Sequence, residues 1–376
     1  MTLSDLPQIL CNFIMESSIK THQLQGSPSD SAIVQSVLQH LRNPRYFRTA
    51  LPLYRRLQFG RFLDGSHLLT NRELENDESI SADDTADPWL YAFVDRSCRP
   101  ETEVWLFGSW EISSMATDSV HVNGTSESRD AHNEKAILAL LQNLLLAFKA
   151  LGVPPSIHEA PADAPDSTDN AVDSAGLSKA DYAAHASNPN VMLWGSIHAR
   201  TIPYLKTLDV LSGESSTTVV PNHMFIFDVP SMSIPLDLPP SVRWGRLSKE
   251  HFALVRSRTQ IPRRDRTLAA LPNLGLFPTS GTVLEQASPI AWAFVGLDAS
   301  LTTLHVEPAH RRIGLAQKLT TKLFREEMDL FFADGMEKLA QGYVIVGNEA
   351  SKGMCESLGG KAEWTVYWVR VDLGKV

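Results

Sequence analysis

The stretch HVEPAHRRIGLAQ, residues 305–317, sits between the strand-like run SLTTL and the helical run KLTTKLFREEM. Its pattern places Ser300–Val306 in a strand and predicts a helix from about Arg312 to Phe332, which makes Arg311–Ala316 the first helical turn. The first amides of a helix have no intrahelical partner and lie at the positive end of its dipole. Gly314 and Ala316 keep side chains away from those amides, while Arg311 and Arg312 add charge-assisted donors. The physical reading is a pyrophosphate site, and a plain helix start with solvated arginines fits the spacing equally well. The Walker and dinucleotide fingerprints are absent.

Outward from this turn, SKEHFALVRSRTQIP and RRDRTLAALPNLGLF read as two helices separated at Pro262. Strands follow at 290–296 and 300–306, then the long helix, a strand at 342–346, a helix at 349–358 and a strand at 363–371. Together they form one mixed domain over 241–376. The segment PSMSIPLDLPPSVRWG, with Pro230, Pro235, Pro239 and Pro240, reads as a linker. Upstream, 1–235 reads as an α/β half: a first helix at the N-terminus, a helix at 30–42, strands at 89–95 and 103–109, a buried helix at 136–151, a strand at 191–197, a helix at 199–210 and a strand at 223–229. Polar stretches near 75–88, 113–133 and 158–190 read as mobile loops, because they hold too few large apolar residues to offset the entropy of ordering. The fold class is α+β (mixed α/β).

The 376 residues fit two domains of common size. A formal charge of −9 argues against general nucleic-acid binding. From Ser241 onward there are 18 Lys and Arg against 14 Asp and Glu, a net +4, which leaves −13 for the first 240 residues. The C-terminal part is therefore the better home for an anion. Cys11, Cys98 and Cys355 lie far apart, so neither a disulfide framework nor a metal site is suggested, and a reducing, cytoplasmic setting is the expectation. AILALLQNLLLAFKAL is too short and too interrupted for a membrane span.

LTTLHVEPAHRRIGLAQKL resembles the acyl-coenzyme A-binding core of the GNAT superfamily, in which a strand ending in VxP is followed by RxxGxG or RxxGxA and a long helix. GYVIVGNEASKGMCESLGG is similar to that superfamily's next strand, an Asn, and a helix ending in a glycine pair. RWGRLSKEHFALVRSRTQIP and PIAWAFVGLDASLTTLHVEP resemble the glycine N-acyltransferase-like group common in fungi. The motif-level likeness covers about 241–376. Residues 1–235 resemble the family in architecture only, as a degenerate acyltransferase-like half without its own RxxGxA.

The resemblance implies an N-acyltransferase whose cosubstrate is acetyl-CoA or another acyl-CoA and whose acceptor is a small-molecule amine such as an amino acid. The pantetheine arm would pair with the backbone of Leu304 and Val306. The pyrophosphate would sit on the amides of Ile313, Gly314, Leu315 and Ala316, near Arg311, Arg312 and Gln317, with Asn348 and Ser351 contacting the coenzyme from the following helix. Family members with a Glu or His base on the strand carry it where this chain has Ser300 or Thr302, hydroxyls able to hold a relaying water. The family's Tyr acid corresponds to Cys355, whose commoner meaning is packing. Alternation along the strand sends His305 and Glu307 to the opposite face from Ser300, Thr302 and Leu304. Asp298 is the nearest carboxylate on the expected side. Within the basic run Arg256, Arg258, Arg263, Arg264 and Arg266, Arg258 is the candidate for an acceptor carboxylate. Trp244 and Trp292 read as core anchors. Two other classes remain open: a coenzyme-binding protein with reduced catalysis, and a protein lysine or N-terminal acetyltransferase. A monomer or homodimer, without nucleic-acid or membrane partners, is expected.

Overall fold

The computed structural model describes residues 18–60, 62–74, 87–112, 126–153, 184–213, 219–259, 261, 263–279, 287–332 and 335–376. The N-terminal helix expected from the sequence and most of the three polar stretches lie outside these residues. Where the second stretch was expected to continue to 133, the chain is already helical from Ser126. The chain divides into two compact units, the first drawn from the residues up to 159, 184–219 and 367–376, the second from 220–366.

The first unit runs β1 (Lys20–Gln23), α1 (Ala32–Leu41), α2 (Pro44–Phe47), α3 (Leu51–Gln58), β2 (Ser66–Thr70), β3 (Leu90–Asp95), β4 (Val104–Gly108), α4 (Ser126–Leu151), β5 (Val191–His198) and α5 (Ile202–Thr207). Strands β1 to β4 pair antiparallel in sequence order, and β5 joins β4 in parallel through only two residue pairs, Val104 with Trp194 and Trp105 with Gly195. In α4, Ile137, Leu140, Leu141, Leu144, Leu145 and Phe148 recur at helical spacing and are buried against Val104, Leu106 and Trp194.

The second unit runs β6 (Asn222–Asp228), β7 (Val242–Gly245), α6 (Lys249–Arg258), α7 (Asp265–Ala270), β8 (Asn273–Pro278), β9 (Ala291–Val295), β10 (Ser300–Val306), α8 (Leu315–Glu326), β11 (Leu339–Ile345), α9 (Glu349–Ser357) and β12 (Lys361–Asp372). Its strand order is β12-β6-β11-β10-β9-β8-β7. Residues 220–235, read from the sequence as the end of the first domain, carry β6, which ladders with β11 and with the first half of β12. Tyr367–Val376, the end of the chain, groups with the first unit.

Three local readings change. The run from Arg263 to Phe277 is not one helix: Pro272 removes a donor and disfavours helix at Leu271, so α7 stops at Ala270 and NLGLFP becomes β8. The end of the supposed linker, VRWG, is the edge strand β7, paired with β8. The long helix is Leu315–Glu326 rather than Arg312–Phe332, because Arg312 and Gly314 both take left-handed backbone conformations. Leu315, Leu319, Leu323 and Phe324 of α8 are buried on the sheet, each contributing about 1.5–3 kcal/mol.

Candidate active site

Strands β10 and β11 run parallel for two residue pairs only, Ser300 with Gln341 and Leu301 with Gly342. Among the described residues no ladder pair joins them further on. The β11-facing backbone edge that continues through Leu304 and Val306 is thus left without a ladder partner on β11. Such an edge can accept an extended, amide-bearing chain.

Beyond Val306 the backbone turns through Pro308–His310 and two left-handed residues, Arg312 (φ 64°) and Gly314 (φ 78°). Gly314 is the N-cap of α8 and supplies no side-chain hydrogen bond, so the first amides of the helix remain open. A Cβ at Gly314 would meet only the Gln317 side chain at 3.6 Å, so space is not the constraint there. The constraint is the positive φ. Successive amides around a left-handed turn at a helix mouth form an anion-binding concavity. Arg311 and Arg312 are exposed beside it, and Arg311 Nε donates to the Val306 carbonyl at 2.8 Å. Ile313, Leu315, Ala316 and Gln317 complete the turn, and Gln317 Nε2 donates to Ser357 Oγ at 3.2 Å. Asn348 caps α9 by accepting from the Ser351 amide at 3.1 Å, which joins those two positions at the next helix mouth.

The register across β9 and β10 decides which side chains share a face. Leu301 pairs with Val295 and Thr302 with Phe294, but His305 pairs with Trp292 and Val306 with Ala291, with a bulge between. The bulge contains Thr303, held at φ 54°. Paired residues share a face, and Phe294 and Trp292 are two apart on β9, so Thr302 and His305 project to the same side. Simple alternation therefore misplaces His305: one extra residue in the strand returns it to the face of Ser300 and Thr302. Its ring stacks on Trp292 at 4.7 Å, and Nε2 lies 3.7 Å from Glu307 Oε2, too long for a hydrogen bond. Among the described residues Nε2 is buried without a hydrogen-bond partner. Burial holds the imidazole below its ordinary pKa, against the opposing pull of Glu307.

This face looks toward α6 and α7 rather than α8. Arg263, just before α7, donates to Thr302 Oγ1 at 3.2 Å, and His251 of α6 packs edge-on against Phe277. On the opposite face Phe227 of β6 packs against Phe324 of α8.

At the start of β10, Asp298 is buried and both its carboxylate oxygens are engaged. Oδ1 accepts from Ser300 Oγ at 2.6 Å, and Oδ2 accepts from Tyr343 Oη at 2.8 Å. Gln341 Nε2 donates to the Asp298 carbonyl at 2.7 Å. Sequence reading passed over Tyr343. Its signal was present in the polar residues Gln341 and Tyr343 alternating along an otherwise apolar strand.

Of the basic run, Arg258 is turned to Glu307, with Nε 3.0 Å from Oε1, and Arg256 pairs with Asp265. Arg263 differs. Among the described residues it has no carboxylate partner, it donates to Thr302, and its Nε is buried without a partner. Cys355 is buried on α9, and burial pushes its thiol up to about 12. A donor that weak gives its proton to an ordinary thiolate only uphill.

Residues 18–224 match the family described as the acyl-CoA N-acyltransferase verG N-terminal domain, and residues 273–369 match the FR47-like protein family. No curated protein matches the chain in sequence. An X-ray structure of a Drosophila protein is similar in fold over 93% of this chain and 98% of that one, with 15% identity and a TM-score of 0.51. A tandem GNAT protein from the clavulanic acid biosynthesis pathway aligns over 95% of this chain and 99% of its own, with 12% identity and a TM-score of 0.34. A GCN5-related N-acetyltransferase from Sphaerobacter thermophilus aligns over 94% and 96%, with 10% identity and a TM-score of 0.40. The first of these two family matches spans more than half of the chain, which therefore belongs to the acyl-CoA N-acyltransferases of the GNAT superfamily.

Proposed function

We propose that this chain transfers an acyl group, acetyl in the first instance, from acyl-CoA directly to the amine of a small carboxylate-bearing molecule such as an amino acid, as in the glycine N-acyltransferase-like group. One observation carries the proposal: the two-residue parallel ladder between β10 and β11 opens beside a helix mouth whose amides are uncapped. Pantetheine would add to the edge at Leu304 and Val306 that has no ladder partner on β11, and the pyrophosphate would lie on the amides of Ile313–Ala316 with Arg311 and Arg312 beside it. A backbone amide near Val306 would polarise the thioester carbonyl. Ser300 and Thr302 face the side from which the amine approaches, where their hydroxyls can hold a relaying water.

Arg263 supports the carboxylate. A guanidinium with a buried, unpartnered Nε beside the reaction strand is a fork awaiting a planar anion. Arg258, the candidate from sequence, is already matched by Glu307. A screen of thiol release from short and long acyl-CoAs against amino acids, polyamines and a lysine peptide tests the proposal. Turnover confined to carboxylate-bearing amines supports it, and turnover only of the peptide would replace it with a protein acetyltransferase. A second reading, coenzyme binding without chemistry, is favoured by the Ser300 and Thr302 hydroxyls both being engaged, with Asp298 and Arg263 respectively. Tight coenzyme binding with no thiol released by any acceptor would establish it.

A further inference from the structure

We propose that His305, backed by Glu307, is the general base that removes the proton from the acceptor ammonium; this rests on the amine-transfer function proposed above. The bulge at Thr303 brings the imidazole onto the face of Thr302, along the strand that would hold the thioester. Stacking on Trp292 fixes the ring plane, and the buried Nε2 is left without a hydrogen-bond partner. The charged groups around it are Glu307 on the same strand, Arg258 from α6 and Arg311 from the turn. Arg258 is held on Glu307 Oε1, which leaves Oε2 facing His305 at 3.7 Å. A carboxylate in that place stabilises the imidazolium as it forms, and burial keeps the imidazole neutral beforehand.

The protons balance. Nε2 takes one proton from the ammonium, the free amine attacks the thioester carbon, the C–N bond forms and the C–S bond breaks. The remaining extra proton on nitrogen goes to the departing coenzyme thiolate, and the imidazolium returns its proton to solvent.

The test compares wild type, His305→Gln and Glu307→Gln in pH profiles of thiol release with the best amine of a carboxylate-bearing panel, alongside calorimetric binding of CoA. His305→Gln should bind CoA as wild type does, lower kcat/KM near neutral pH by ~10²–10⁴-fold and lose the acidic limb set by the imidazole, with activity recovering at high pH as the amine deprotonates itself. Glu307→Gln should move that limb to lower pH, which a merely structural role would not do. If wild type turns over and His305→Gln keeps both its rate and its acidic limb, the assignment to His305 is overturned and the amine-transfer function stands. If wild type binds CoA but acylates no amine, both are overturned together.

Discussion

The two units follow the same course to different ends. Each contains a run of five strands in sequence order, β1–β5 and β7–β11, with three antiparallel steps and one parallel step, and in each the parallel ladder stops after two residue pairs. In the second unit the face toward the first helices carries Ser300, Thr302 and His305, with a guanidinium reaching in from Arg263. In the first unit the same face carries Trp105 and Phe107, both buried, with Arg56 over the rings of Phe93 and Trp105 at 4.1 and 5.2 Å. At the exit of β4, Trp110 lies against Gly108 and its Nε1 donates to Thr201 Oγ1 at 3.0 Å, just past β5; Thr201 in turn donates to buried Glu111 at 2.6 Å. One scaffold thus spends its strand gap on packing in one copy and keeps it open in the other. The fold creates the gap, and the side chains at its mouth decide whether it is a site.

Breaking the open copy should have the largest effect. Gly314→Glu places a carboxylate at the helix mouth and strains a left-handed position, so CoA affinity should fall by about 1000-fold or more in calorimetry. Unchanged affinity would remove the phosphate site from this turn.

Next comes the closed copy's response to pH. Burial pushes the Glu111 carboxyl up to about 8 in the folded chain, against the ordinary 4.5. The folded state then holds a proton that the unfolded state has lost. The resulting stabilisation is fully present below about 4.5 and is lost as pH rises through about 8, amounting to at most about 5 kcal/mol. Glu111→Gln should flatten that dependence in thermal melts, and an equally steep loss in the variant would refute it.

Trp110→Ala should then cost about 3 kcal/mol of stability while leaving CoA affinity untouched. A coenzyme affinity that drops with it would mean that the first unit's gap matters to binding. The smallest effect is at Arg263: Arg263→Gln should raise KM for a carboxylate-bearing acceptor by about 10–100-fold with little change in KM for acyl-CoA. Equal effects on acceptors with and without a carboxylate would sharpen its role to packing on Thr302.

Much of this was legible in the chain. Strands β3, β4, β5, β6, β9 and β10 and helices α1, α6 and α9 follow from apolar patterning, and the turn before α8 from its arginines and glycine. The polar strands β1 and β2 were not legible, because KTHQ and SHLLT carry no clean alternation and are set by their neighbours. NLGLFP was hidden for a different reason, its leucines fitting a helix as well as a strand until Pro272 is weighed.

The sequence by itself determined that the C-terminal half sets a glycine and two arginines at a helix mouth, since residue types at fixed spacing along one turn are a local property. Only the tertiary structure decided which side chains of β10 share a face. A bulge is one residue accommodated by a partner strand, and no periodicity within the strand reports it. That one residue puts His305 on the face of Thr302, while long-range contacts commit Arg258 to Glu307 and set Arg263 on Thr302.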